Sequence, residues 1–426
     1  MTKKSYLGGH QVRPYLCGRQ VRPYLCGHQV RPYLWHNAAM RLLFVADGRS
    51  PIAINWIRYF VERGHEVYLA STFACQPRLD LTGFDITPVA FSGTKRPPAP
   101  AASRPASSRT LGLRTAIRHF LGPLTVARSA RRLREVIRRV QPDLVHAMRI
   151  PYEGMLAADA YTGVPLLVSV WGNDFTLHAP STPLMRHYTR WTMQVTDALH
   201  ADCQRDIRLA GEWGFEARKP SLVIPGGGGV RADVFYPPEN PVRAPVVVNP
   251  RGFRAYVRND AFFRAIPLVL EAMPDARFLC ASMAGETQAL KWIEELCIGH
   301  AVELLSPLPH EQMAAVFRRA AVLVSPSVHD GTPNSLLEGM ACGCFPVAGD
   351  LESIREWITD GKNGLLTDAT DPHSMADSIL EALQNRDLRE HAARENASLI
   401  HARAEYHACM AQVETFYSGL MVRNGK

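Results

Sequence analysis

Long apolar runs are missing from this chain of 426 residues: no stretch of 18 or more apolar residues is present to span a bilayer as a helix. The first residues have no uninterrupted apolar core, so no signal peptide is expected. Cysteine is sparse and scattered, with nine in all; the only close pair is Cys342 and Cys344, and no spacing fits zinc. A reducing cytoplasm is the expected setting. No G-x-G-x-x-G follows the first strand, which argues against a dinucleotide site there. No D-x-D stands near a strand end, so no bound metal is expected.

Acid is also missing locally. The formal net charge is +8, yet residues 1–39 hold six Lys or Arg and no acid, and residues 95–139 hold twelve against the single Glu135. The remainder is therefore at −9. Basicity confined to segments argues against a general nucleic-acid binder. It suits a patch facing anionic lipid or an anionic acceptor.

What is present is a globular chain, 46% hydrophobic and long enough for two α/β domains. Residues 11–35 repeat QVRPYLC, QVRPYLC and QVRPYLW at a period of nine. Three such units are too short for a solenoid, so residues 1–39 are expected to be a disordered tail outside the fold. Met40 opens the first strand.

Residues 40–228 read as a first Rossmann-like domain. Arg41 to Ala46 is a strand, Asp47 to Pro51 a turn, Ile52 to Glu62 an amphipathic helix, and Arg63-Gly64-His65-Glu66-Val67 leads into the second strand. Gly48 and Ser50 would face a cleft; for Ser50 a plain turn or cap role is open as well. Residues 92–110 are rich in Pro, Ala and Ser and predict a flexible loop. The following helical stretch reaches Val140, interrupted near Gly122-Pro123. Its arginines 128, 131, 132, 134, 138 and 139 are either a solvated face or a membrane or acceptor patch. His146 would end a strand facing the cleft. Trp171 would wall a pocket. Asp174 would bind an acceptor hydroxyl or cap the next helix. Four glycines, Gly226 to Gly229, suit a hinge.

Residues 229–402 read as a second Rossmann-like domain, and residues 403–426 as a final helix. The strand from Val246 is followed by Arg251, Arg254 and Arg258, either a clamp on a diphosphate or a solvated cluster. The segment from Val322 to Leu366 organises the rest. Its strand ends in a polar loop with Asp330 and Gly331, and a helix starts near Asn334. Free N–H groups at such a start receive phosphate oxygens. Asp330 and Glu338 flank that anion site, which suits a ligand with hydroxyls at both ends and phosphates between.

Asp330-Gly331-Thr332-Pro333-Asn334-Ser335-Leu336-Leu337-Glu338-Gly339-Met340-Ala341 resembles the signature of retaining family 4 glycosyltransferases, which have the GT-B fold. Asp330 stands where glutamate is usual, Gly339 where alanine is usual, and Trp171 where a histidine is usual. The resemblance implies two Rossmann-like domains across a cleft, with the final helix returning to the first, and transfer of a hexosyl-type sugar from a nucleotide-diphosphate sugar to a glycan or lipid-linked acceptor. It implies retention, and a place in polysaccharide or glycolipid synthesis at the inner membrane face. Glu338 would hold the ribose, and Asp330 the sugar. Arg251 and Arg258 would hold the diphosphate, with Arg254 as a substitute. Backbone amides around the stretch Gly331-Thr332-Pro333-Asn334 would support sugar and phosphate, and the loop at Ser306 would meet the base. A nucleotide-sugar epimerase and a non-catalytic carbohydrate-binding relative remain as rival readings.

Overall fold

The computed structural model describes residues 39–92, 120–240 and 244–423. The tail expected over 1–39 and the loop expected over 92–110 lie almost wholly outside the described residues. Among the described residues no helix is long and apolar enough to cross a membrane.

Two parallel sheets form the body. The first runs in the order β3-β2-β1-β4-β5-β6-β7, from β1 (Arg41–Ala46), β2 (Glu66–Ser71), β3 (Gly83–Ile86), β4 (Leu144–Ala147), β5 (Leu166–Val170), β6 (Ala198–Ala201) and β7 (Ser221–Val223). The second runs β10-β9-β8-β11-β12-β13, from β8 (Val246–Asn249), β9 (Arg277–Cys280), β10 (Val302–Leu304), β11 (Val322–Ser325), β12 (Phe345–Gly349) and β13 (Leu365–Thr367). Strands such as LLVSV in β5 and VLVS in β11 are buried on both faces, which explains their near-continuous apolar runs. Each sheet reverses direction beside its first strand, between β1 and β4 and between β8 and β11. A crevice opens beyond the strand ends at such a reversal.

Local chemistry sets the elements around those crevices. The helix Pro51–Glu62 starts with the Ser50 hydroxyl accepting from the Ala53 amide and with Pro51 in its first turn. It stops at Gly64, whose φ of 80° favours glycine. β3 is the one strand of the first sheet with no counterpart in the sequence reading; it is a four-residue edge strand with mixed burial.

The final helix, Tyr406–Arg423, packs on the first sheet, with Tyr406, Met410, Val413 and Tyr417 against Leu42, Phe44, Trp56 and Phe60. The glycine run lies where the chain crosses that helix. A Cβ on Gly228 would stand 2.5 Å from the Met410 sulfur, and one on Gly229 2.5 Å from the Ala404 carbonyl oxygen. These glycines are needed for close approach.

His146 corrects an expectation. It does not face the cleft but sits in the core, 1% exposed. Both faces of a parallel sheet are covered, so strand periodicity cannot tell which face a residue takes. Tyr417 Oη lies 2.5 Å from His146 Nδ1 and accepts from Trp56 Nε1 at 3.0 Å. On the other side His146 Nε2 meets Ser169 Oγ at 2.7 Å, which meets His200 Nδ1 at 2.8 Å. Burial holds the His146 imidazole well below its usual pKa, so it is neutral in this chain of bonds. Replacing Tyr417 with Phe leaves two buried nitrogens without their partner. The expected loss of unfolding free energy is about 1–3 kcal/mol by denaturant titration. An unchanged midpoint would show that the network does not hold the last helix down.

Candidate functional site

The crevice of the first sheet is a recess of about 380 Å³, lined by residues that follow β1 and β4, among them Arg49, Ser50, Arg149, Tyr152 and Glu153. Its cations are already balanced. Arg49 binds Asp47 through Nε and Nη2 at 3.0 and 2.9 Å and lies over the Phe73 ring. Arg149 binds Asp174 at 2.8 Å and stands 5.2 Å from the Trp171 ring. Tyr152 is held at a φ of 71°, a strained setting for a non-glycine residue.

The crevice of the second sheet faces the first and opens into a cleft of about 420 Å³ whose lining comes from both sheets. Asn249, at the end of β8, accepts from the Arg251 amide at 3.0 Å and so turns that residue into the cleft. The Arg251 guanidinium pairs with Asp330 and donates to Ser335 Oγ at 3.2 Å. Its Nε is buried and has no partner among the described residues. The helix Asn334–Ala341 begins beside it, with Pro333 as its cap residue and no side-chain cap. Its first amides are therefore open to an anion. One turn further, Glu338 lines the same cleft. Burial pushes its carboxyl pKa up to about 7, and no charged neighbour offsets this.

A seam joins the two sheets beside this cleft. Arg205, in the helix Gln204–Glu212, donates from Nη2 to the Gly172 carbonyl at 2.7 Å and from Nη1 to the Asp330 carbonyl at 2.7 Å. Asp206 neutralises it at 2.8 Å. The Thr332 hydroxyl donates to the Asp202 carbonyl and accepts from Trp357 Nε1 at 3.0 Å. Glu356 accepts from the amides of Gln204 and Arg205 at 2.9 and 3.1 Å, capping that helix from the opposite sheet. Two glycines make the contact possible. A Cβ on Gly172 would fall 1.7 Å from the Gly331 nitrogen, and one on Gly331 would fall 2.1 Å from Asp202 Oδ1.

Asp202 is buried, and its Oδ1 has no partner among the described residues. Burial, then the nearby Asp206 and Asp330, push its pKa well above its usual value. Asp202, Cys203 and Asp206 stand close enough to share an ion. They suit one poorly, because Arg205 already occupies Asp206 and burial drives the Cys203 thiol strongly upward.

The cleft gathers Ser50, Trp171, Arg251, Arg254, Asp330, Thr332, Pro333, Asn334 and Glu338. Gly331 contributes by its close approach to Gly172. Five expected residues stand elsewhere, the core residue His146 among them. Gly48 is buried against Ser71 and Cys75. Arg258 turns away to Asp260, which it binds at 2.8 and 2.7 Å. Ser306 is exposed outside the lining, although His310 in the same connection lines the cleft. Asp174 is buried and accepts from the amides of Trp171 and Ile150 at 3.1 and 3.3 Å. It fixes the pocket wall and is closed to an acceptor. Sequence reasoning missed Arg149, Asp202, Arg205, Tyr256 and His310. Only Arg149 carried a signal, since it follows the β4 strand end at the sheet reversal.

Comparison with known proteins agrees with this architecture. The family model described as "Glycosyl transferase 4-like domain" matches residues 50–227, and "Glycosyl transferases group 1" matches residues 245–385. The chain is 27% identical over 195 residues to an uncharacterized glycosyltransferase of Methanocaldococcus jannaschii, covering 45% of this chain and 54% of that protein. It is 30% identical over 236 residues to D-inositol 3-phosphate glycosyltransferase of Mycolicibacterium smegmatis, covering 53% of each. The chain thus spans about half the length of these relatives. In structure it is similar to sucrose-phosphate synthase of Thermosynechococcus elongatus, with a TM-score of 0.70 at 14% identity over 90% of this chain and 100% of that one. Anabaena HepE, solved with UDP and glucose, gives 0.64 at 15% identity over 89% and 100%. These two likenesses concern the fold. With a family model over each sheet and the two crevices facing one another, the chain belongs to the group 1 glycosyltransferases, enzymes of the GT-B fold.

Proposed function

We propose that the protein transfers a sugar from a nucleotide-diphosphate sugar to a hydroxyl acceptor with retention of configuration, in glycolipid or polysaccharide synthesis. The carrying observation is one cleft whose lining holds a guanidinium N–H and a carboxyl without partners among the described residues, beside an uncapped helix start. Arg251 and the amides at Asn334 suit a diphosphate. Glu338, one turn on, suits the two ribose hydroxyls. Asp330, held by Arg251, suits hydroxyls of the sugar. Solved relatives such as HepE, in complex with UDP and glucose, support a donor of this class. The balanced recess of the first sheet suits the acceptor.

In the proposed step the acceptor oxygen bonds to the anomeric carbon as the bond from that carbon to the phosphate oxygen breaks. The electron pair stays on the phosphate, and that oxygen takes the acceptor proton on the same face. Charge grows on the diphosphate as the bond breaks, and Arg251 and the helix start stabilise it most at that point. Trp171 and the Arg205 seam keep water from the cleft. This reading needs no metal and no resident cofactor.

Purified protein incubated with a panel of UDP-, GDP-, ADP- and dTDP-sugars should release nucleotide from one donor, followed by mass spectrometry. Silence across the panel, with no nucleotide binding by calorimetry, would contradict the proposal. Two variants sharpen it. Ionised Glu338 accepts both hydroxyls in charge-assisted bonds, whereas its protonated form has lost the charge and turns one oxygen into a donor. Nucleoside diphosphate should therefore bind more tightly as pH rises towards about 7, by nearly tenfold per pH unit beyond the slope of Glu338→Gln. That variant supplies the reference because the terminal phosphate titrates in the same range. Equal slopes would remove Glu338 from the ribose. Gly172→Ala forces the seam apart and should lower transfer by about a hundredfold while nucleotide affinity holds. Full activity in that variant would show that the closed seam is not the working state.

A further inference from the structure

The outward side of the segment after Phe120 is used by neither recess. A tight turn, Gly122–Thr125, runs into the helix Val126–Val140. Val126, Ala130, Leu133, Val136, Ile137 and Val140 face inward and are buried. Arg128, Arg131, Arg132, Arg138 and Arg139 face outward, with Glu135 the lone acid among them. Arg139 is paired with Asp85; the other four make no ion pair among the described residues. Ahead of the arginines Phe120, Leu121 and Leu124 are 60%, 47% and 64% exposed. Leu121, Leu124, Arg128, Arg131, Glu135 and Arg138 recur at helical spacing, so an apolar tip continues into a basic stripe on one side.

The turn behind that tip is pinned to the first sheet's loops. A Cβ on Gly122 would lie 2.9 Å from the Ala90 Cβ and 2.9 Å from the Tyr152 oxygen. Thr125 Oγ1 accepts from the Ala90 amide and donates to the Gly122 carbonyl, both at 2.7 Å. Ser129 Oγ donates to the Pro88 carbonyl at 2.6 Å. Three large apolar side chains exposed at a pinned turn mark a contact surface. The same turn backs onto Tyr152, which lines the recess of the first sheet.

We infer that this face docks on an anionic lipid bilayer, with the arginines on headgroup phosphates and Phe120, Leu121 and Leu124 in the interface. The docked chain presents its first recess to a lipid-linked hydroxyl acceptor. A nucleic acid would draw no benefit from the apolar tip, and an acidic protein would need a socket shaped to it. A bilayer meets both features without a matching shape. The docking stands on the surface itself; the acceptor class rests on the glycosyl-transfer reading.

The full chain is sedimented with vesicles of phosphatidylcholine alone and of phosphatidylcholine with phosphatidylglycerol in equal parts, at low and high salt. It should associate with the anionic vesicles only, and less so at high salt. Each arginine beside such a surface changes partitioning by about fivefold, so Arg128→Glu with Arg131→Glu and Arg138→Glu should lose about a hundredfold or more. Leu121→Asp with Leu124→Asp should lose about tenfold or more. These positions are exposed, so both variants should keep the thermal midpoint and nucleoside diphosphate affinity. Both should also keep turnover of a soluble acceptor and lose only turnover of a vesicle-bound one. Absence of vesicle binding by the wild type would overturn the inference. Binding that both variants retain would also overturn it, as would a dimer that the leucine variant abolishes. Vesicle binding as described in a chain that releases no nucleotide would leave the docking face standing and remove glycosyl transfer.

Discussion

The working cleft depends on one buried guanidinium. Arg205 holds the Gly172 carbonyl of the first sheet and the Asp330 carbonyl of the second, and Asp206 offsets its charge. A buried charge of this kind is expensive when a partner is lost, by about 3–5 kcal/mol. The seam is therefore a discrete arrangement: with both carbonyls in place Arg205 is satisfied, and with the sheets apart it must find water. Gly172 and Gly331 exist where they do because the arginine draws their backbones together closer than any Cβ allows.

The sheets supply the rest by topology alone. Both reverse beside their first strand, so each has one crevice, and the seam turns those crevices towards each other. One crevice has compensated charges and aromatic walls. The other has a guanidinium N–H without a partner among the described residues and a helix start without a side-chain cap. The asymmetry divides the labour: a neutral polyhydroxy compound suits the first and a diphosphate the second. The final helix anchors the chain back onto the first sheet through Tyr417, so the sheets are tethered at the crossing as well as at the seam.

Much of this was legible in the sequence, for local reasons. The strand, polar loop and helix start around Asp330 are contiguous, so spacing alone put Asp330, Asn334 and Glu338 at one site. The strand Arg41–Ala46 and the end of the first helix at Glu62 were read to the residue. What escaped was tertiary. Arg205 is one charge among several in an ordinary surface-type helix, and only the opposing loop makes it a clamp. Arg258 could not be told from Arg251 by spacing, because the Asn249 side chain that turns Arg251 inward acts through the fold. His146 was given the wrong face because a sheet covered on both sides carries no polar alternation. Asp174 looked like a helix cap or an acceptor ligand, but its partners come from the loop at Arg149 and Ile150.

The central claim is that nucleoside diphosphate occupies the reversal of the second sheet. A crystal structure of the chain with the diphosphate that it binds most tightly tests this directly. The phosphates should lie at the start of the helix Asn334–Ala341 within reach of Arg251, with the ribose hydroxyls on Glu338. Density in the first recess instead, beside Ser50 and Arg149, would contradict the account and exchange the roles of the two sheets.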